Sequence, residues 1–512
     1  MKRKTKFLYN GVLLTAVGLA MRGTQLLFGA YIARTLGADG VGLNTLVMMV
    51  YSFALTFATS GISLTVTRLF ASLIGEGREG EGGGIIKGAF AYAFVFGSVA
   101  NIALLLLSDI IGNRIIGDSF SVAALRLLSL SLLPSAFSAV ISGYFVAVRR
   151  VTLNAVTQVT GQLLRIVITV ILLTKTDESP IAMLALGVSA AEIISLLIAL
   201  PTFLAERKMA RAKSRSQISE VAKMALPLGI SAYLRSALLT LEHNLIPKSL
   251  LRHGETREGA LSSYGYLHGM ALPFILYPMT PLSSFSGLLV PEFAEEKGRG
   301  NDRKMRDIAT RALNTTLSYA VAVSVLILLF SREFGYVIYG SAEAGRYIAM
   351  LAPVVPIMYL DHVADSILKG IGEHIYSMWV NISDAVLSII LVVTLIPVMG
   401  IAGYAVVIIV MEVFNFALSA IRLRTRIPFS IRFFASAFVP AASMAVAAIL
   451  SRAAFCMPAQ STTALWLILR IVFAICAYAA TRVTFSLTAQ LYGKLPFAKN
   501  CLHKQKKKSR LT

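Results

Sequence analysis

The sequence predicts an all-α fold, a polytopic membrane protein of about 14 transmembrane helices. Three observations carry that expectation. Hydrophobic residues make up 56% of the 512-residue chain and charged residues only 14%, against about 25% charged in a soluble domain. Apolar segments near 20 residues recur along the chain, the length that crosses about 30 Å of hydrocarbon at about 1.5 Å per residue. Period-2 alternation of barrel type is absent.

Apolar periodicity and breakers place the segments at 9–33, 42–69, 86–109, 121–147, 153–174, 180–204, 223–247, 263–290, 309–330, 347–368, 375–396, 400–421, 432–451 and 463–482. The first follows MKRKTK without a small-residue cleavage site, which predicts an uncleaved helix. The connections are short and leave no room for a soluble catalytic domain. Cys456, Cys476 and Cys501 form no spacing motif. Cys501 lies beside the basic tail, a weak palmitoylation signal.

Orientation follows from Lys and Arg. With the N-terminus inside, inside segments hold 33 of these residues and outside segments nine. That bias predicts a multi-pass protein of the cytoplasmic (inner) membrane with both termini in the cytoplasm. It also accounts for the net charge of +22 without a nucleic-acid partner. The tail KQKKKSR (504–510) is expected to stay near anionic lipids.

The chain repeats itself. LAMRGTQLL (19–27) lies on AYLRSALL (232–239), which sets Arg22 on Arg235. SGISLTVTRLFA (60–71) lies on SSFSGLLVPEFA (283–294), an offset of 223 residues. The same offset brings Pro134 beside Pro356 and Gln158 onto Asn381. Six segments per half give both halves one orientation, so a pseudo-twofold along the membrane normal is expected, with a site between the halves. The expected domains are a six-helix lobe at 1–205, a basic cytoplasmic linker at 206–222, a second six-helix lobe at 223–424, two additional helices at 425–490 and a basic cytoplasmic tail at 491–512.

Arg22 and Arg235 each fall about halfway along an apolar segment. An arginine there costs about 2.5–3.5 kcal/mol on insertion scales. Two guanidiniums converging on a cleft suit a bidentate phosphate or pyrophosphate. The alternative is pairing with a nearby acid, or snorkelling. Arg165 has Glu192 as a candidate partner, and Arg68 and Arg126 lie near segment ends, where snorkelling accounts for them. In the second half Glu242, Asp361, Asp365, Asp384 and Glu412 outnumber Arg235. Glu242, Asn381 and Asp384 offer oxygen ligands for a coupling cation or a proton relay. Helix–helix hydrogen bonding is the plainer role for each.

MRGTQLLFGAYIARTLGADGVGLNTL (21–46), ISGYFVA (141–147) and VTLNAVTQVTGQLLRI (151–166) resemble the multidrug/oligosaccharidyl-lipid/polysaccharide exporter superfamily. The branch they are most similar to is that of stage V sporulation protein B and lipid II flippases. The resemblance spans the first 12 segments. It implies two six-helix lobes around a cavity, an alternating-access cycle and an undecaprenyl-pyrophosphate-linked sugar as substrate. It makes Arg22 the cavity arginine of the first helix. Phe28 and Ser142 stand where relatives commonly carry further arginines, and the resemblance then gives their role to Arg235 and Arg165. It also implies a sodium site, compatible with Glu242, Asn381 and Asp384, and a polyprenyl-tail groove at the last two segments, where Arg470 is expected to snorkel.

The expected function is therefore flipping of a lipid II-type or related cell-wall or polysaccharide precursor, in sporulation or vegetative growth. Coupling to Na+ or H+ is expected, with no other cofactor and no enzymatic activity. Membrane lipids are expected partners, cell-wall synthesis enzymes are further candidates, and the chain is expected to be a monomer. The alternatives are a cation-coupled multidrug exporter of the same fold, which Arg22 and Arg235 disfavour, and a membrane-embedded lipid-sugar transferase. The latter needs convergent acid/base groups that the short loops lack. A recruiting scaffold would leave the intramembrane arginines unexplained. GEGREG (75–80) matches a nucleotide-loop spacing but joins two apolar segments and follows no strand. DHVAD (361–365) sets two carboxylates on one helix face, a polar lining or cation site rather than a metal site. No Walker loop, HExxH or GxSxG motif occurs.

Overall fold

A computed structural model describes residues 2–59, 61–78, 80, 82–175, 179–206, 217–455 and 463–494, apart from the side chains at 2–17, 151, 231 and 482–494. Most of the expected linker (207–216), the tail from 495 onward, Cys456 and Cys501 lie outside the described residues. Every regular element among the described residues is helical. In chain order these are α1 (Lys2–Thr59), α2 (Ile62–Gly75), α3 (Gly82–Ile110), α4 (Ser119–Ser129), α5 (Leu132–Ala147), α6 (Val151–Lys175), α7 (Pro180–Glu206), α8 (Ile218–His253) and α9 (Arg257–Tyr264). They continue with α10 (Leu272–Leu276), α11 (Thr280–Gly298), α12 (Asp302–Phe334), α13 (Ala342–Leu351), α14 (Val355–Gly370), α15 (His374–Arg426), α16 (Val439–Ala454) and α17 (Ala464–Lys494).

Among the described residues, 11 helical stretches are long and apolar enough to cross a membrane. The number is 12 when α4 and α5, bent by 41° at a short break, are taken as one span. Two long elements are interrupted by glycines. Gly37 breaks α1 with φ 74° and ψ 178°, and Gly400 breaks α15 with φ 61° and ψ −145°. Both are conformations that a side chain disfavours. The expected 14 is reached only when α1 and α15 each count as two crossings.

The glycines of the LGADGVG stretch have separate jobs. Gly37 makes the break. Gly42 lies where the chain passes α9 so closely that a Cβ would collide with the Leu261 carbonyl. Gly265 is its counterpart, with the Ala38 carbonyl in the place of a Cβ. Small residues let helix backbones approach in this way inside a membrane.

The internal repeat is visible in element boundaries. The bent pair α4/α5 begins at 119 and 132, and the pair α13/α14 begins at 342 and 355, so the separation is 223 residues in both cases. Each pair is preceded by a π-turn, Ile111–Ile116 and Gly335–Tyr339, and by a left-handed glycine, Gly117 and Gly340. Asp118 and Ser341 then cap the following helices through their side chains, satisfying N–H groups that the helix leaves free. Helices α6 and α15 begin at 151 and 374, again 223 apart.

The chain forms two compact units, Met1–Ser284 with Glu373–Leu418, and Phe285–Gly372 with Ser419–Thr512. The core of the first mixes small, aliphatic and aromatic residues, including Ala58, Ala89, Leu125, Tyr144 and Phe145. In the second, α12 packs against α14 and α16 around Ala309, Phe330 and Val363. Outward-facing Leu106 and Val398 are over 70% exposed, as expected where lipid is the solvent.

Arg470 departs from expectation. It is 1% exposed rather than snorkelling. Its guanidinium lies 3.9 Å from Glu333 and donates to the Phe455 carbonyl. Glu333 also accepts from Arg452 at 2.8 and 3.1 Å. A counter-charge on α12 removes the need to reach water. Arg126 pairs with Asp109 at 2.6 Å. In the DHVAD stretch, Asp361 accepts from Ser419 at 2.9 Å and Asp365 pairs with Lys369 at 2.5 Å, so both carboxylates have local partners.

Candidate substrate cavity and cation site

The three arginines proposed for substrate have different surroundings. Arg22, on α1, and Arg235, on α8, are exposed. Neither forms an ion pair within 4.0 Å of a described residue. Arg235 is close enough to Asp384 to act on it electrostatically. Arg165, on α6, is half-buried, and Tyr51 and Glu192 are the ionisable groups that act on it. Its Nε is buried with no hydrogen-bond partner among the described residues.

Arg165 lines a cavity of about 470 Å³ between α1, α5, α6 and α7. Helical spacing builds the polar walls. Residues 154, 158, 161 and 165 recur every three or four positions along α6, as do 188, 192, 195 and 199 along α7, and so share a face. Gln162 pins the α1 side. Its Nε2 donates to the Met21 carbonyl at 2.7 Å and to Thr24 Oγ1 at 2.5 Å. Across the cavity, Ser135 hydrogen-bonds Glu192. Arg22 and Arg235 are not among the lining residues.

The acidic set expected for a cation is partly assembled. Ser388 Oγ donates to Glu242 Oε1 at 2.6 Å, joining α15 to α8. Asp384, one turn before Ser388, acts electrostatically on Glu242 and is hydrogen-bonded by Asn415. Asp384 Oδ1 is buried with no hydrogen-bond partner among the described residues. Asn381 lies a turn earlier on α15 and donates its Nδ2 to the Ser377 carbonyl at 2.6 Å. Glu242 and Asp384 thus lie within electrostatic reach of each other, while Asn381 spends its amide nitrogen within its own helix. Among the described residues no group of three or more His, Cys, Asp or Glu is placed to hold a metal ion.

Sequence reasoning missed a neighbouring cluster. His243, next to Glu242, meets the Tyr264 hydroxyl at 2.7 Å. His268 sits in the π-turn Gly265–Ala271 and hydrogen-bonds the Tyr404 hydroxyl. The two imidazoles are 4.4 Å apart, centroid to centroid. Tyr264 and Tyr404 both lie within electrostatic reach of Glu242. The only available signal was polarity inside apolar runs, LEHN and GYLHGM.

Comparison with known proteins agrees with this architecture. The family described as polysaccharide biosynthesis protein matches residues 7–295, more than half of the chain, and MatE matches 260–394. The chain is 24% identical over 447 residues to stage V sporulation protein B of Bacillus subtilis (strain 168), covering 84% of this chain and 86% of that protein. Its fold is similar to the inward closed conformation of the lipid II flippase MurJ, with a TM-score of 0.69 at 13% identity, over 94% of this chain and 99% of that one. It is also similar to an inward-facing multidrug resistance MATE family transporter of the MOP superfamily, with a TM-score of 0.61 at 15% identity, over 80% and 98% of the two chains. This multi-pass membrane protein belongs to the polysaccharide biosynthesis protein family.

Proposed function

We propose that this protein flips an undecaprenyl-pyrophosphate-linked sugar precursor, a lipid II-type or related cell-wall or polysaccharide unit, from the inner to the outer leaflet of the cytoplasmic membrane. The carrying observation is the pair Arg22 and Arg235. Both lie in helices of membrane-crossing length, the sequence repeat aligns one with the other, and neither forms an ion pair with a described residue. Each costs about 2.5–3.5 kcal/mol to insert, and a pyrophosphate bound by two guanidiniums offsets that cost. The similarity to stage V sporulation protein B and to the MurJ fold supports the same substrate class. Arg165 serves the headgroup from the neighbouring cavity.

The repeat halves act as two six-helix lobes, 1–205 and 223–424, with both termini in the cytoplasm. The headgroup enters the polar interior while the polyprenyl tail stays in lipid, and exchange between inward- and outward-open states completes the transfer. Glu242, Asn381 and Asp384 take the coupling Na+ or H+. The protein works as a monomer, has no catalytic step and hands its cargo to cell-wall synthesis enzymes. An exporter of cationic drugs would set its cargo against two guanidiniums.

The test is transport in proteoliposomes carrying a fluorescent undecaprenyl-pyrophosphate-linked sugar, with outer-leaflet exposure read by quenching. Wild type is expected to translocate it, and Arg22→Ala and Arg235→Ala to slow translocation at least about tenfold, as loss of a charge-assisted contact implies. No translocation by folded wild type, under any ion gradient, overturns the reading.

A further inference from the structure

The cavity between α1, α5, α6 and α7 has a mixed lining. Twelve of its 20 lining residues carry polar side chains, while apolar atoms supply the larger share of its exposed wall. The polar groups are chiefly amides and hydroxyls, among them Asn154, Gln158, Gln162, Ser138 and Ser195. Only two lining side chains are charged, Arg165 and Glu192, and their charges cancel. A neutral lining does not favour a pyrophosphate over a neutral ligand, nor a cationic drug over either.

The volume narrows the class further. At about 30 Å³ per liquid water, 470 Å³ corresponds to about 15 waters. That is far more than an ion needs and is on the scale of one or two sugar rings. Two buried lining atoms have no hydrogen-bond partner among the described residues, the acceptor Asn154 Oδ1 and the donor Arg165 Nε. Buried polar atoms are ordinarily satisfied. Both atoms lie behind the cavity wall, so the groups open to a ligand are the amides and hydroxyls that line it. Gly161 keeps the walls close, since a Cβ there would stand 2.9 Å from Ser195 Oγ.

We propose that this cavity is a glycan subsite, which holds the uncharged sugar of the substrate by hydrogen bonds from amide and hydroxyl side chains while the pyrophosphate is held outside it. The inference rests on the flippase reading. It adds that preference for a glycosylated over a bare lipid pyrophosphate resides in α5, α6 and α7. Asn154 follows the basic Arg149–Arg150 turn at the start of α6, which the charge bias sets in the cytoplasm, and Arg165 lies three turns deeper. The subsite thus extends inward from the side on which a precursor is made. Gln158 is the informative residue, because it lines the cavity and its side chain makes no hydrogen bond to a described residue. Replacing it removes donor and acceptor without breaking a helix contact.

The experiment measures affinity of the full-length protein in nanodiscs for undecaprenyl pyrophosphate bearing an N-acetylated disaccharide, for bare undecaprenyl pyrophosphate and for the lipid-free disaccharide. Wild type, Gln158→Leu and the milder Ser138→Ala are compared, and thermal unfolding confirms that each is folded. The inference expects wild type to prefer the glycosylated lipid. It expects Gln158→Leu to lower that preference about tenfold, or about 1.4 kcal/mol, and Ser138→Ala to lower it less. Weak binding of the lipid-free disaccharide, lost in Gln158→Leu, supports the subsite and identifies the sugar as the recognised part. If wild type prefers the glycosylated lipid and both variants keep that preference, the subsite is wrong and the flippase reading stands. If wild type does not distinguish the lipids and binds neither selectively, both fail.

Discussion

Ser388 Oγ on α15 donates a 2.6 Å hydrogen bond to the carboxylate of Glu242 on α8, across 146 residues of sequence. Glu242 is 8% exposed, so it depends on such donors. Ser388→Ala is expected to destabilise the protein by about 1–3 kcal/mol, the range for stranding a buried polar group. Ser388→Thr keeps the hydroxyl and is expected to retain most of the stability. Thermal unfolding in detergent measures both, and equal melting temperatures for wild type and Ser388→Ala would refute the dependence.

The same carboxylate is the proposed coupling group. Glu242→Gln and Asp384→Asn are expected to remove the dependence of transport on an imposed Na+ or H+ gradient, leaving only ion-independent exchange. Transport measured with each gradient applied separately checks this. Unchanged gradient dependence in both variants would move the coupling site elsewhere.

Glu333 holds α12 to the last two helices through Arg452 and Arg470. It is 3% exposed and Arg470 is 1% exposed. Removing one member of a buried pair costs about 3–5 kcal/mol, because the other charge is left behind. Glu333→Ala is therefore expected to unfold at markedly lower temperature. The double variant Glu333→Leu with Arg470→Met, which leaves no unpaired charge between these two, is expected to recover part of the loss. A double variant no more stable than the single one would contradict the ion-pair account.

Gly42→Ala sets a methyl against the Leu261 carbonyl and Gly265→Ala sets one against the Ala38 carbonyl. Each is expected to cost about 1–3 kcal/mol or more through overpacking and to lower the yield of folded protein. Gly29→Ala, with nothing within 4 Å of its Cβ position, is the control. It is expected to be neutral or to gain about 0.5–1 kcal/mol from reduced chain entropy. Yield and melting temperature of the three variants decide this.

Legibility followed the physics of each feature. Hydrophobic length is a local property, so the membrane-crossing helices could be read directly. The repeat was readable because Pro134 and Pro356 fall in the first turns of α5 and α14, two helices whose starts lie 223 residues apart. The acidic excess of the second half singled out Glu242 and Asp384, which the fold brings within electrostatic reach of each other. It did not foretell that Ser388 and Asn415 would supply their hydrogen bonds, because neither stands out in sequence. The partnership of Arg470 with Glu333 was illegible for a similar reason. An arginine in an apolar run looks alike whether it snorkels or meets an acid on another helix. His268 was missed because its meeting with His243 depends on a π-turn, a backbone detail without a residue signature.

The central claim is that Arg22 and Arg235 bind a lipid-linked pyrophosphate. Native mass spectrometry of the full-length protein with lipid II, with undecaprenyl phosphate and with a cationic drug tests it most directly, in wild type, Arg22→Ala and Arg235→Ala. The account predicts that wild type retains lipid II over both competitors, and that each substitution weakens this selectively while the protein stays folded. Folded variants that hold lipid II as wild type does would make both arginines structural and contradict the account.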